Sequence, residues 1–321
     1  MPKILVIGGA GYIGSHVVKE LLNGGYETIV FDDMSSGQEV NLFREAGFIK
    51  GSILDRKALD SAMCQNIDAV IHLAAKKAVG ESMENPEKYA LNNLNGSVNI
   101  LNSMTDNGVK HLVFSSSAAV YGMPEYIPVD ERHPLNPINF YGYTKLAMEN
   151  LMDWYSRLKD FNYIALRYFN AVGYAADKTI TGREQNPQNL LPIIMEVATG
   201  KRESFSVFGS DYDTFDGTCV RDYIHVSDLA SAHVAAIKRL MSDKKSYRLN
   251  LGTGQGVSVK QIVDATENVI GKCLNYHYAP RRAGDPAILV AKSDSAREIL
   301  NWKPKYTNIE DVIRTVWNIE L

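Results

Sequence analysis

The sequence has little that would mark a secreted, metal-bound or membrane-spanning protein. Its three cysteines, Cys64, Cys219 and Cys273, are odd in number, far apart and in no paired motif. That usage excludes a disulfide framework and fits reduced thiols in a cytosolic protein. None of the seven histidines stands at HxxxH or Cys/His ligand spacing, so no metal is expected. No apolar run approaches the ~20 residues that cross a bilayer. The first residues, Met1-Pro2-Lys3-Ile4, lead into a strand without the charged start, apolar run and cleavage site of a secretory leader. The expected location is the cytoplasm. An excess of one charge is also missing: a formal net charge of -3 gives no field to gather nucleic acid or an acidic membrane. An anionic ligand must therefore be held by local groups.

What is present is a chain of 321 residues, 45% of them hydrophobic, enough for one large or two modest domains. Its first half alternates apolar β-type runs with helical segments. Lys3–Gly8, Thr28–Asp32, Phe48–Lys50, Ala69–Ala75, His111–Ser116 and Ile164–Phe169 read as strands. Tyr12–Gly24, Glu87–Asp106 and Tyr141–Lys159 read as helices between them. Near-continuous apolar strands separated by helices predict a doubly wound α/β fold, a parallel sheet covered on both faces. Past Phe169 the pattern becomes irregular: residues 170–189 read as a long loop, Leu191–Thr199 as a helix and Ser204–Phe208 as a strand. Another Gly/Asp-rich loop follows. Tyr247–Leu251 is β-like and is expected to rejoin the first sheet. Ser258 is the expected N-cap of a helix ending before Gly271, and Ile309, Val312, Ile313, Val316 and Trp317 form one stripe of a last helix. The predicted division is residues 1–170 as one domain, with a return around 215–252, and 171–321 as a smaller α/β domain.

Gly8-Gly9-Ala10-Gly11-Tyr12-Ile13-Gly14 follows the first strand and opens the first helix, satisfying both GxGxxG and GxxGxxG spacing. Glycines there allow a tight turn and close approach of a pyrophosphate to the positive end of a helix. The strand–turn–helix context makes this a dinucleotide signature rather than a plain turn. Asp32, 18 positions beyond Gly14, ends the second strand. A carboxylate at that point accepts bonds from ribose hydroxyls and repels a 2′-phosphate, so NAD is expected over NADP.

Tyr141 and Lys145 are four apart and share one helix face. A free phenol titrates near 10, so a base working near pH 7 needs about three units of lowering, roughly 4 kcal/mol. A nearby ammonium and a positively charged nicotinamide ring both favour the phenolate. Tyr143, two from Lys145, reads as structural, and Tyr121 as loop packing. Ser115-Ser116-Ser117 ends the fifth strand, where ligands of such sheets bind. A hydroxyl there could hold a substrate oxygen beside the tyrosine, but residue type alone does not choose among the three.

Together these residues resemble the extended short-chain dehydrogenase/reductase family, with a Rossmann-type sheet, and within it the UDP-galactose (UDP-glucose) 4-epimerase subfamily. The resemblance runs through GGAGYIGSH (Gly8–His16), KAVGES (Lys77–Ser82), NNLNG (Asn92–Gly96) and FSSSAAVYG (Phe114–Gly122). It continues through RYFNAVG (Arg167–Gly173), DGTCVRDYIHVSDLA (Asp216–Ala230) and APRRAGDPA (Ala279–Ala287). It implies an isomerase with tightly bound NAD that inverts the 4-hydroxyl of a UDP-hexose through a 4-keto sugar, in galactose metabolism, as a homodimer. It casts Tyr141 as the base, Ser117 as its hydroxyl partner and Lys145 as the lysine that bonds the nicotinamide ribose and lowers the tyrosine. NAD contacts are implied for Gly8, Gly11, Tyr12, Ile13, Gly14 and Asp32. The same is implied for Ser52, Ile53, Leu73, Lys77, Asn92, Ser115 and Tyr168. Asn170, Asn189, Leu190, Phe208, Arg221, Tyr223, Arg282, Asp285 and Leu289 match positions lining the UDP-sugar. Arg221 and Arg282 suit bidentate bonds to a diphosphate, against the plainer reading of surface ion pairs. His225 and His277 read as packed rather than as ligands.

Two positions depart from the family pattern. Gly51-Ser52-Ile53 has serine where an aspartate usually lies near the adenine, and Leu289 stands where some members carry a tyrosine beside the sugar 2-substituent. The smaller leucine leaves room for an N-acetyl group, so a UDP-N-acetylglucosamine 4-epimerase stays open as a sole or second activity. A nucleotide-sugar 4,6-dehydratase is disfavoured because Ser117-Ala118-Ala119 supplies no carboxylate pair. A non-catalytic NAD-sensing module would need neither the tyrosine–lysine pair nor the two arginines.

Overall fold

The computed structural model describes residues 1–184, 187–282 and 284–321. Gln185 and Asn186, in the expected loop 170–189, and Ala283, in the Ala279–Ala287 motif, lie outside the described residues. The strands are β1 (Lys3–Ile7), β2 (Glu27–Asp32), β3 (Gly47–Lys50), β4 (Ala69–His72), β5 (His111–Ser117), β6 (Asn162–Tyr168) and β7 (Asn170–Val172). They continue as β8 (Phe205–Phe208), β9 (Val220–His225), β10 (Tyr247–Leu251), β11 (Gly256–Ser258), β12 (Tyr276–Ala279) and β13 (Ile288–Leu289).

Seven strands form one parallel sheet in the order β10-β6-β5-β4-β1-β2-β3. The apolar runs alternate faces. Ile4 and Val6 of β1 join Val17, Val18 and Leu21 of helix Tyr12–Asn23 and Leu229, Ala236 and Ile237 of helix Val226–Asp243. Leu5 and Ile7 join Leu59 and Met63 of helix Arg56–Met63, Ile100 and Met104 of helix Gly96–Asp106, and Met148 and Met152 of helix Phe140–Leu158. Both faces are therefore buried, as near-continuous apolar strands require. Each such side chain contributes roughly 1.5–3 kcal/mol on leaving water.

After β6 the chain leaves this sheet. It returns as helix Val226–Asp243, which packs on helix Tyr12–Asn23, and as β10, which pairs with β6. Between and beyond these, β7, β9, β11 and β13 make a second sheet, and β8 pairs with β12. A third core gathers Leu191 and Ile194 of helix Leu190–Ala198, Ile262 and Val263 of helix Val259–Ile270, and Val312, Ile313 and Val316 of helix Ile309–Glu320. Ser258 caps its helix in a reciprocal box with Gln261, and Gly271 ends it at φ 71.

Three local readings differ from expectation. The helix expected over Glu87–Asp106 is interrupted by a π-helical stretch, Ala90–Asn95. Its wide turn turns Asn92 to the sheet crevice, while Asn93 bonds the Lys76 backbone. The start of the expected loop 170–189 is strand β7. The Gly/Asp-rich stretch after Phe208 gives way to β9 and the 226–243 helix, which buries Val226, Leu229, Ile237 and Leu240 at helical spacing. No helix among the described residues is long and apolar enough to cross a membrane.

Candidate functional site

A cleft of about 570 Å³ opens at the carboxyl ends of β1, β2, β4 and β5. This is the crevice where the connections from adjacent strands diverge to opposite faces. Its floor is the glycine turn. Gly8 has φ 87, and a Cβ there would lie 2.6 Å from the Ala74 nitrogen. A Cβ on Gly14 would lie 2.1 Å from the Gly8 carbonyl oxygen, so only glycine lets the helix start against the strand. The N-cap, Gly11, offers no side chain to the first helical N–H groups, which leaves them for an anion.

Asp32 stands on one side of this floor. Its carboxylate accepts the Ala10 N–H at 3.0 Å and the Met34 N–H at 2.9 Å, tying the end of β2 to the glycine turn. Burial pushes it up, and those two donors oppose the shift. It therefore both ends the strand and lines the cleft, with lone pairs left for ribose hydroxyls.

Tyr141, Lys145, Ser115 and Tyr168 line the other end. Asn139 caps the helix by accepting the Gly142 N–H at 2.8 Å, which starts the turn carrying Tyr141. Lys145 Nζ lies 5.7 Å from the Tyr141 ring centre and donates to the Ser115 carbonyl at 2.7 Å. Burial lowers Lys145 to about 7, while Glu149, one turn further on, raises it. Burial pushes Tyr141 up to about 12, and the Ser117 hydroxyl draws it back down. The expected lowering by the lysine ammonium is thus not what the protein groups produce; burial outweighs them.

The three serines separate by partner. The Ser115 hydroxyl meets the Tyr168 hydroxyl, and Ser117 meets Tyr141 and accepts the Ala119 N–H at 3.2 Å. Ser116 turns inward and donates to Glu149 at 2.5 Å. Glu149 and Arg167 are buried together, joined at 2.5 and 3.0 Å, and Arg248 reaches the same carboxylate at 3.2 Å. Arg167 also donates to the Tyr121 hydroxyl, which donates to Asn250. Glu149 and Arg167 were not singled out by sequence reasoning; a carboxylate one turn past Lys145 was the available signal.

Of the expected cofactor positions, Gly8, Gly11, Tyr12, Ile13, Gly14, Asp32, Ile53, Leu73, Lys77, Asn92, Ser115, Tyr141, Lys145 and Tyr168 all line the cleft. Ser52 does not: its hydroxyl accepts the Leu54 N–H at 3.2 Å, and its neighbours Gly51 and Ile53 face the cleft instead. Gln38, Asn41, Lys76, Arg183 and Glu184 line it as well, and no motif pointed to them.

Of the substrate positions, Asn170, Arg221, Tyr223 and Leu289 fall on the second sheet, Ser117 ends β5 and Phe208 ends β8. Pairing sets Asn170 against Tyr223 and Leu289 against Arg221. Arg221, mostly buried, donates to Asp285 at 2.5 Å and to the Val220 carbonyl at 2.8 Å. The Arg282 guanidinium lies 3.9 Å from the centre of the Phe208 ring. Leu289 packs near Ala118, Val120 and Phe169. Asn189 lines an adjoining cavity of about 120 Å³ that shares Tyr12, Arg183 and Glu184 with the cleft, and Leu190 opens the next helix. His225 is stacked on Tyr306 at 3.8 Å, and His277 is within 3.0 Å of the Ser206 hydroxyl. Tyr143 is half exposed and stacked on Phe140.

The model of the NAD dependent epimerase/dehydratase family matches residues 4–252. The chain belongs to that family. As a family member it is 46% identical over 317 residues to the UDP-glucose 4-epimerase of Lactobacillus helveticus, covering 98% of this chain and 96% of the relative. It superposes with a TM-score of 0.96 on a UDP-glucose-4-epimerase from Stenotrophomonas maltophila with bound NAD and formylated UDP-arabinopyranose. That pair is 41% identical, covering 100% of this chain and 98% of the other. The UDP-Glc/GlcNAc 4-epimerase of Campylobacter jejuni is similar at a TM-score of 0.88, with 38% identity and coverage of 100% and 99%. The epimerase/dehydratase fold accounts for the shape of the cleft, and the residues present fit a dinucleotide. Open helix N–H groups wait at the turn, an acid stands at one end, and half-buried Tyr141 with buried Lys145 stands at the other.

Proposed function

We propose that this protein is an NAD-dependent UDP-glucose 4-epimerase, interconverting UDP-glucose and UDP-galactose in galactose metabolism. The observation that carries the reading is the half-buried Tyr141 phenol, set beside Ser117 and one turn from Lys145, at the end of a glycine-floored cleft. In this reading residues 1–170, with the return through helix Val226–Asp243 and β10 rather than from 215, serve the dinucleotide, and the rest of 171–321, β9 included, serves the sugar nucleotide.

The glycine turn, Asp32, Lys77 and Lys145 would hold NAD, which when bound would supply a reversible two-electron acceptor and a positive charge. Tyr141 takes the proton from the sugar 4-hydroxyl as that carbon becomes a ketone, and returns it when the alcohol reforms. Ser117 holds the same oxygen in line. The cost of ionising Tyr141 in a buried site is met by positive charge, since Ser117 alone leaves it near 12. Lys145 fixes the strand end through the Ser115 carbonyl and presents its remaining donors to the cleft. Arg221 and Arg282 hold the diphosphate while the sugar turns its other face. Arg221 spends only part of its five-donor fork on Asp285 and Val220.

The test is conversion of UDP-galactose to UDP-glucose by the purified protein without added NAD. A net dehydrogenase would instead release NADH in proportion to sugar consumed.

Leu289 favours a second reading, 4-epimerisation of UDP-N-acetylhexosamines. It lies beside Arg221 with no aromatic bulk, and the similar Campylobacter jejuni protein is named for both sugars. Paired rates on UDP-galactose and UDP-N-acetylgalactosamine decide between one activity and two. A cytoplasmic location accords with three free cysteines. A homodimer accords with exposed Tyr143, Trp154 and Leu158 on helix Phe140–Leu158, whose first residue, Phe140, contacts exposed Met83.

A further inference from the structure

Residues Gly182–Glu184 belong to no strand or helix, yet they line the cleft together with the glycine turn. Their contacts fall on both sides of that turn. On one side Asn41 accepts the Gly182 N–H at 3.0 Å, and Gln38 donates to the Arg183 carbonyl. On the other, both carboxylate oxygens of Glu184 reach Lys77 Nζ, at 2.9 and 3.0 Å. Gln38 and Asn41 follow β2, Lys77 follows β4, and β1 lies between those two strands. A segment tied to both flanks must pass across the carboxyl end of β1, above the point where the glycine turn begins.

We propose that Gly182–Glu184 is a strap over the dinucleotide cleft, and that Glu184, acting through Lys77, is a positioning residue that slows the departure of bound dinucleotide. The inference rests on the NAD reading of the cleft and adds to it the groups that retain the cofactor. Three features support it. An ammonium carries three N–H donors, so Lys77 can serve Glu184 and a phosphate oxygen together. The strap is anchored outside the cleft as well, because Arg183 pairs with Glu320 at 3.0 Å. The fit at Asn41 is close: a Cβ on Gly182 would lie 2.3 Å from its amide oxygen.

The test measures release of bound NAD from the full-length holoprotein, by exchange against an excess of its fluorescent etheno analogue. Lys77 is half exposed, so the pair should be worth what partly exposed pairs are worth. Glu184→Gln is expected to release NAD about two- to fivefold faster, and the Glu184→Gln/Gln38→Ala double variant faster still. Release from the parent should also speed up between low and about 0.5 M sodium chloride, and Glu184→Gln should lose most of that salt dependence. A merely structural role for Glu184 would leave the salt response in place. A parent that holds NAD while both variants release it at the parental rate overturns the strap alone. A purified parent that carries and binds no dinucleotide overturns the reading of the cleft, and the strap with it.

Discussion

Replacing Glu149 by glutamine removes one charge from a carboxylate that Ser116, Arg167 and Arg248 share. The acid and Arg167 are almost wholly buried, and the pair makes two contacts, at 2.5 and 3.0 Å. With the charge gone, Arg167 keeps the Tyr121 hydroxyl as its remaining strong partner. An uncompensated buried charge of this kind costs about 3–5 kcal/mol. Arg248 suffers less, because it is partly exposed and keeps Asp153. For a chain of this size, with about 2 °C lost per kcal/mol, the apparent Tm should fall by roughly 6–10 °C. Circular dichroism melts of the NAD-loaded protein read this directly. Glu149→Leu combined with Arg167→Leu removes both charges, and should recover much of the loss relative to Glu149→Gln. A drop of less than about 2 °C in the single variant, or a double variant whose loss equals the sum of the two single losses, would refute the assignment of the energy to the pair.

Further outcomes follow from the same coordinates. Burial holds His16 and His233 near 4 and His72 and His225 near 3. Their folded values lie below the usual 6.5, so this stability is fully present above about pH 6.5 and is lost as pH falls toward 4 and 3. Between roughly pH 5.5 and 4 the four together contribute a slope of about 5 kcal/mol per pH unit, seen as falling urea midpoints; a flat profile there contradicts the burial argument. Gly14→Ala places a methyl against the Gly8 carbonyl and should abolish NAD binding in a calorimetric titration. Leu289→Tyr should depress the rate on UDP-N-acetylgalactosamine at least tenfold more than that on UDP-galactose, a difference of about 1.4 kcal/mol. Equal losses on the two sugars would remove Leu289 from the specificity argument.

The sheet was readable because its strands are apolar on both faces. Ile4-Leu5-Val6-Ile7 can only be a strand buried twice, and the glycine turn after it fixes where the crevice lies. The tyrosine–lysine spacing placed both groups on one helix face without help from coordinates. What stayed hidden depended on contacts between distant segments. The choice among Ser115, Ser116 and Ser117 is made by Tyr168, Glu149 and Tyr141, and strand alternation alone does not say which face holds the acid. Helix Val226–Asp243 lies outside the expected elements although Val226, Leu229, Ala230, His233, Ile237 and Leu240 recur at helical spacing; it packs against helix Tyr12–Asn23. Glu184 had no motif at all; its meaning comes from Lys77, 107 positions earlier in the chain.

The chemistry assigned to Tyr141 is tested most directly by Tyr141→Phe. The substitution removes one oxygen and leaves Ser117 its bond to the Ala119 N–H, so the fold and the UDP site should be preserved. With UDP affinity and bound NAD at parental levels, the rate of UDP-galactose conversion should fall about 10²- to 10⁴-fold, the share that a positioned acid–base group supplies. A phenylalanine variant that turns over UDP-galactose within a few-fold of the parent would contradict the account.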